Sequence, residues 1–183
     1  MLKLSSMGAV QPTNKKLAVG DKAPDFVLPD QSNHTTHFAD LLGKCAVVLF
    51  FYPRDYSAGC TAEVCAFRDS YEAFKDAGAT VIGVNADSTE SHEGFVQRHR
   101  LPFILLSDRD GVAQDLYGVQ KTLGIVRARV TYVIDRQGII RHIFSSQLNI
   151  DKHINDALHV IRSLQGDTEG SDKAVEAPSK SDL

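Results

Sequence analysis

Residues 46–52 read AVVLFFY, and residues 53–65 continue as PRDYSAGCTAEVC. The first segment is an unbroken run of β-branched and aromatic residues, which predicts a central strand buried on both faces. From Cys60 to Phe74 apolar residues recur at helical spacing, and Gly78 follows as a stop signal. Together these segments predict a strand whose carboxyl end leads into a helix over residues 60–74.

Apolar runs and helical periodicity alternate along the rest of the chain. Asp87 and Glu90 resemble a capping box, which predicts the start of a helix. Residues 103–106 are too short a run to assign. The further predicted elements are a strand at 80–84, paired strands at 130–135 and 139–144, and an amphipathic helix at 150–164. This order predicts an α/β fold with a mixed central β-sheet flanked by helices.

Composition divides the chain into three zones. Composition predicts a flexible leader at residues 1–19. Residues 166–183, GDTEGSDKAVEAPSKSDL, predict a disordered tail because they have almost nothing to bury. Residues 20–165, which lie between these two zones, are predicted to form one compact domain.

Composition also excludes several classes of function. The 183 residues are 43% hydrophobic and carry a formal net charge of -3, with no basic run to bind nucleic acid. No window approaches the ~18 apolar residues that a membrane span needs. Three cysteines are too few for a disulfide-stapled secreted scaffold and indicate a reducing compartment. We therefore expect a cytoplasmic protein, with a processed organelle form, such as a plastid protein, as the alternative.

The segment after the predicted strand carries the reactive side chains. Cys60 lies in the first turn of the predicted helix, where unpaired backbone N–H groups and the helix dipole favour thiolate over thiol. Gly59 lets the backbone approach a small ligand, and Ser57 can place a hydroxyl beside the sulfur. Cys65, five residues after Cys60, can resolve a sulfenic acid as a disulfide. The pattern therefore favours a reactive-cysteine function.

The spacing Pro-x-x-x-Ser-x-x-Cys, formed by Pro53, Ser57 and Cys60, resembles the peroxidatic-loop signature of the peroxiredoxin family. Cys65 and the AFRD that follows it are similar to the peroxiredoxin Q branch, also called bacterioferritin comigratory protein. Further stretches of likeness are GDKAPDF at 20–26, LLSD at 105–108 and RVTYVID at 129–135. The resemblance covers roughly residues 17–164. It is specific because several separated motifs occur in the order that the family has.

This resemblance implies a thioredoxin-like fold and a thiol-dependent peroxidase that reduces hydrogen peroxide and alkyl hydroperoxides. It also implies thioredoxin or a similar dithiol as reductant, a monomer, and no cofactor or metal. By motif position, Cys60 would be the peroxidatic cysteine and Cys65 the resolving cysteine, joined in an intramolecular disulfide. Arg129 would steady thiolate and peroxide, Ser57 would take the role of the family's threonine or serine, and Pro53 would shield the pocket.

The loop departs from the branch pattern at two positions. The branch usually has Thr-Pro-Gly-Cys, whereas this chain has Ser57-Ala58-Gly59-Cys60. Without the proline we expect a less rigid loop. Without the β-methyl group of threonine, the hydroxyl is less preorganised.

Two other hypotheses stay open. A thiol–disulfide oxidoreductase of thioredoxin type would carry a C-x-x-C pair and a proline before a threonine of the later strand. Here four residues separate the cysteines, and Val130 precedes Thr131. A redox-sensing binding module would share the cysteine chemistry, but no partner-binding feature stands out.

The remaining candidates fit structural roles better. Cys45 adjoins the apolar strand and is expected to be an inert core residue. Tyr52 and Tyr56 are expected to be pocket walls. Four histidines lack a cysteine partner at zinc-like spacing and are expected at the surface or its boundary: His34, His37, His92 and His99.

Overall fold

A computed structural model describes residues 16–122 and 126–171. Its described strands are β1 (Val27–Pro29), β2 (Thr35–His37), β3 (Ala46–Phe51), β4 (Ala79–Asn85), β5 (Ile104–Ser107), β6 (Lys121–Thr122), β7 (Val126–Arg127), β8 (Val130–Ile134) and β9 (Ile140–Ser145). Its described α-helices are α1 (Ala58–Asp69), α2 (Tyr71–Asp76), α3 (Thr89–His99), α4 (Val112–Leu116) and α5 (Ile150–Ser171). A 3-10 helix spans Phe38–Asp40.

Five strands form one mixed sheet in the order β5-β4-β3-β8-β9. Strands β3, β4 and β5 are parallel, whereas β8 is antiparallel to both β3 and β9. The predicted α/β fold with a mixed central sheet is therefore confirmed. Most of the unassigned run at 103–106 lies in β5, one of the two edge strands of this sheet.

Strand β3 is buried along its whole length, as its composition predicts. Alternate residues of a strand point to opposite faces. Val48 and Phe50 therefore join a core cluster with residues of α1, α2, α3 and α5. Val47 and Leu49 join a second cluster with the amino-terminal segment and α4. The sheet thus lies between two apolar layers, and β3 contributes to both.

The helix predicted over residues 60–74 is wrong as a single element, since the structure has two helices there. Ser70 leaves the helical conformation (φ -99°, ψ 2°) and caps both α1 and α2. The break redirects α2 so that the Phe74 ring lies 6.0 Å from the Phe67 ring in one core. Periodicity did not reveal it because both helices face the same apolar cluster. Cys60 and Cys65 remain together in α1.

The start of α3 differs from the predicted capping box by one residue. Ser88 is the N-cap, and its hydroxyl accepts from the Ser91 N–H at 3.3 Å. Asp87 accepts instead from the backbone N–H of Asp55 at 2.6 Å. In the folded protein the Asp87 carboxylate therefore holds the loop that precedes α1, rather than the start of α3.

Helix α5 runs beyond the predicted residues 150–164 to Ser171, into the segment that composition assigns to a tail. Gln165 Nε2 donates to the Asp76 carbonyl at 3.3 Å and attaches this part of the helix to the end of α2. Residues 1–15 and 172–183 lie outside the described residues, so the leader and the disordered tail stay predictions. No helix in the described ranges is long and apolar enough to cross a membrane.

The register of β8 against β3 determines where the site lies. Phe51 pairs with Val130, so Arg129, which immediately precedes β8, lies at the carboxyl end of β3. Helix α1 starts at the same end of the sheet, because residues 52–57 alone connect it to β3. The edge where a strand's carboxyl end meets a helix amino end is the usual place for a site in such sheets.

The core on the α1 side can be tested at Phe67, which is fully buried and stacks on Phe50 with ring centroids 4.4 Å apart. Phe67→Ala removes this packing and leaves a cavity, so we expect a loss of about 3–5 kcal/mol in the free energy of unfolding. Urea denaturation measures it. Leu148→Ala is the control, because Leu148 is 92% exposed and its loss is expected to stay within about 0.5 kcal/mol. Equal losses for the two variants would contradict the packing described.

Candidate active site

The first turn of α1 holds Cys60. Ser57 is the N-cap, and its hydroxyl accepts from the Cys60 N–H at 3.4 Å and donates to the Arg54 carbonyl at 3.4 Å. The positive end of the helix dipole therefore lies at the Cys60 backbone. The Cys60 side chain is buried, at 1% exposure. Burial disfavours a thiolate, so a compensating positive charge is needed close to the sulfur.

Arg129 supplies that charge. Its Nη2 lies 3.5 Å from the Cys60 sulfur, and the side chain is 4% exposed. A Cβ atom added at Gly59 would lie 3.3 Å from the same nitrogen, which is tighter than ordinary contact. Gly59 thus gives the guanidinium room beside the helix start. The structure brings together Ser57, Cys60 and Arg129, which the sequence separates by up to 72 positions.

Glu63 is a member of the site that sequence analysis missed. It is fully buried, and it accepts a short hydrogen bond from Arg129 Nη1. Burial raises the pKa of Glu63 to about 7, although the attraction of Arg129 opposes the rise. Among the described residues, Glu63 Oε1 and Arg129 Nε have no hydrogen-bond partner. An available signal was the spacing of three, which places Glu63 on the same helix face as Cys60.

Cys65 lies two turns into α1 and is partly buried. Its sulfur is 3.8 Å from Nδ1 of His99, the last residue of α3. All three cysteines are free thiols in this structure. The structure therefore has Cys60 and Cys65 on one helix but in different surroundings.

Pro53 is half-buried and follows the end of β3. The neighbouring Asp55 carboxylate is buried and is the centre of a hydrogen-bond network across three elements. It accepts from the hydroxyl groups of Tyr52 and Ser91, each at 2.8 Å, and from Asn85 Nδ2 at 3.0 Å. The network holds the loop between β3 and α1 against β4 and α3.

His92 completes the network. The prediction that it lies at the surface or its boundary is wrong. The ring is fully buried, with Nδ1 2.8 Å from Asp55 Oδ2. Burial disfavours the charge on Asp55, but hydrogen bonds from His92 and its neighbours outweigh it and lower the pKa of Asp55. The pKa of Tyr52 is raised by burial and by the adjacent Asp55. Tyr52 is therefore a neutral hydrogen-bond donor at neutral pH and anchors the loop.

Tyr56 lies on the outer side of the same loop. It has a left-handed backbone (φ 57°), and its ring is 51% exposed. Such a backbone costs a non-glycine residue on the order of 1 kcal/mol. The ring contacts Phe95 at 5.0 Å between centroids, and the hydroxyl donates to the Ser91 carbonyl at 3.4 Å. These contacts to α3 hold Tyr56 in its strained conformation.

The other candidates lie apart from this cluster. Cys45 is half-exposed just before β3 rather than deep in the core. Within residues 16–122 and 126–171, no group of three histidine, cysteine or acidic residues could hold a metal ion.

Comparison with known proteins identifies the family of this chain. Residues 19–143 match the AhpC/TSA family. Peroxiredoxin Q, chloroplastic, from Triticum aestivum is 43% identical over 150 residues, covering 81% of this chain and 69% of that protein. The counterpart from Sedum lineare is 42% identical over 151 residues, covering 82% and 81%.

Solved structures share the fold. Peroxidoxin BcpB from Mycobacterium tuberculosis superposes with a TM-score of 0.75 at 35% identity, over 80% of this chain and 97% of that one. A peroxiredoxin Q from Xylella fastidiosa gives a TM-score of 0.73 at 24% identity, over 85% and 99%. The thioredoxin-like fold is therefore confirmed. By fold and by sequence, the chain belongs to the AhpC/TSA family, in its peroxiredoxin Q branch of thiol-dependent peroxidases.

Proposed function

We propose that the chain reduces hydrogen peroxide and alkyl hydroperoxides, with Cys60 as the peroxidatic and Cys65 as the resolving cysteine. The observation that carries the proposal is the position of the Cys60 sulfur. It lies in the first turn of a helix and 3.5 Å from the buried guanidinium of Arg129. Both features stabilise a thiolate, which is the nucleophilic form of cysteine.

In the first step the Cys60 thiolate attacks one peroxide oxygen and the O–O bond breaks. Sulfur is oxidised to a sulfenic acid, and the other oxygen leaves as alkoxide or hydroxide and takes up a proton to give an alcohol or water. Arg129 offsets the charge that develops on the peroxide oxygens. Ser57 holds the helix start, and Pro53 shields the pocket from water.

In the second step the Cys65 thiol attacks the sulfenic acid, so that a disulfide forms and water leaves. An intact α1 does not permit this bond. Residues five positions apart in an ideal helix have Cα atoms ~8.7 Å apart and side chains about 140° apart around the axis. A disulfide needs Cα atoms at about 4.4–6.8 Å. We therefore propose that the start of α1 unwinds once per catalytic cycle.

A dithiol protein of the thioredoxin type completes the cycle by thiol–disulfide exchange. The monomer stays a prediction from family resemblance. The relatives from Triticum aestivum and Sedum lineare are named as chloroplastic, which supports the plastid alternative. The cytoplasmic location stays a prediction from cysteine content.

The experiment that tests this function compares two cysteine variants with the wild type. Cys60→Ser is expected to abolish turnover with peroxide and thioredoxin, because it removes the thiolate beside Arg129. Cys65→Ser is expected to react once and then to accumulate sulfenic and, under excess oxidant, sulfinic acid. Intact mass follows each species. Cys45→Ser is the control and should keep wild-type turnover. Full turnover by either of the other variants would remove that cysteine from the mechanism.

Arg129→Ala is expected to slow the peroxide step about 10²–10³-fold, because it removes a preorganised charged donor beside the sulfur. Stopped-flow measurement of sulfenic acid formation gives the rate. Arg141→Ala makes the same change in charge at a residue of β9, whose side chain pairs with Asp135. This variant is expected to react like the wild type. An unchanged rate in Arg129→Ala would show that the guanidinium has no part in the step.

Unwinding is tested by hydrogen exchange in the dithiol and disulfide forms. Amides of residues 61–67 are expected to exchange faster in the disulfide form, because the bond and the intact helix are incompatible. Amides of residues 91–97 in α3 are the internal reference and should be equally protected in both forms. Equal protection of residues 61–67, with the disulfide verified by mass, would exclude either the helix opening or the pairing.

A further inference from the structure

Cys65 lies beside two basic side chains. Nδ1 of His99 is 3.8 Å from its sulfur. Arg68, one turn further along α1, interacts electrostatically with the Cys65 side chain and is itself paired with Asp69 at 2.8 Å. Arg68 also donates from Nη1 to the His99 carbonyl at 2.9 Å. The end of α3 and the second half of α1 therefore meet around the resolving sulfur.

His99 is suited to accept a proton. Burial lowers the pKa of His99, and the charges of Arg98 and Arg68 lower it further. A neutral imidazole has one ring nitrogen free to accept a hydrogen bond, and the nitrogen facing the sulfur is Nδ1. The Phe95 ring contacts the imidazole edge to face at 4.8 Å, which restrains its orientation.

The resolving step needs such a group because the thiolate is the nucleophile. A cysteine thiol without assistance is only a few per cent ionised at neutral pH. A neutral base that takes the proton as the sulfur attacks removes the need for prior ionisation, so its contribution is bounded by that few per cent, at up to about thirtyfold.

We propose that His99 is the proton acceptor for Cys65 in the resolving step, and that Arg68 stabilises the resulting thiolate. The inference rests on the proposed function, since it requires Cys65 to be the resolving cysteine. The Cys65 proton passes to Nδ1, and the thiolate attacks the Cys60 sulfenic sulfur. The S–S bond forms as the S–O bond breaks, and the leaving hydroxide takes the imidazolium proton to become water. His99 is thus returned to its neutral form.

The contact with His99 is compatible with opening of α1, because the two ends of that helix are held differently. The side-chain cap of the first turn is one 3.4 Å hydrogen bond from the Cys60 N–H to Ser57. The turn is otherwise held by a 2.8 Å backbone hydrogen bond from Thr61 to Ser57 and by the contact of Cys60 with Arg129. The second half is held by the stack of Phe67 on Phe50 and by the hydrogen bond from Arg68 to α3. Opening the first turn frees Cys60 to approach, while Cys65 stays beside its base.

The test measures the two chemical steps separately in His99→Gln and His99→Ala. Stopped flow with hydrogen peroxide gives sulfenic acid formation, and rapid quenching followed by intact mass gives its conversion to the disulfide. At neutral pH both variants are expected to form sulfenic acid at the wild-type rate but to form the disulfide about tenfold to thirtyfold more slowly. The deficit should disappear as the pH rises and solvent ionises Cys65. Added imidazole should restore the rate in His99→Ala. His159→Gln, an exposed histidine on α5, is the matched control.

Disulfide formation by the variants at the wild-type rate, or faster, at neutral pH would overturn the proposal. A deficit that is the same at every pH and unaffected by imidazole would also overturn it, because it would indicate a structural role. Either result leaves the proposed function intact as long as the wild type forms the disulfide. Failure of the wild type to form it would instead contradict the assignment of Cys65.

Discussion

The antiparallel pairing of β8 with β3 is the interaction on which the site depends. Residues 46–52 are buried in two apolar layers, so neighbouring strands have little freedom to shift. A slip of one residue would reverse the faces of every side chain in a strand. The pairing of Phe51 with Val130 therefore determines the position of Arg129. From there the guanidinium reaches the Cys60 sulfur at the start of α1.

The Arg129 guanidinium is itself a buried cation, so its charge must be balanced. Glu63 accepts from one Nη group while the other faces the sulfur. Removing one member of a buried pair typically costs about 3–5 kcal/mol, because the other charge is left uncompensated. The carboxylate and the thiolate are both partners of one guanidinium, and burial raises the pKa of Glu63 to about 7. The protonation of Glu63 and the state of Cys60 are thus coupled through a single side chain.

The loop before Cys60 combines rigidity with a helix start that can open. The sequence lacks the proline of the branch at Ala58, which predicts a less rigid loop. The structure supplies other restraints, since Asp55 is bound by four side chains and Tyr56 packs against α3. These restraints hold the loop upstream of Ser57, whereas the first turn of α1 has a weaker cap. Opening can therefore begin at the helix start without releasing the loop.

The sequence by itself determined the elements whose signals are local. The run at 46–52 predicted a strand buried on both faces, and the helical periodicity that begins at Cys60 predicted a cysteine in the first turn of a helix. Both are observed, because composition and short-range hydrogen bonds suffice for them. Arg129 was named only through family resemblance. Its contact with the sulfur spans 69 positions and depends on strand register.

Tertiary structure alone decided the surroundings of these residues. Sequence analysis gave Glu63 no role, because its role depends on Arg129, which only the fold brings beside it. His92 was expected near the surface, yet it is fully buried against Asp55, because a buried carboxylate makes an internal histidine favourable. The break at Ser70 and the contact of His99 with Cys65 follow from the packing of one helix on another. Such contacts join residues far apart in the chain, and no local pattern of residue types encodes their distance or orientation.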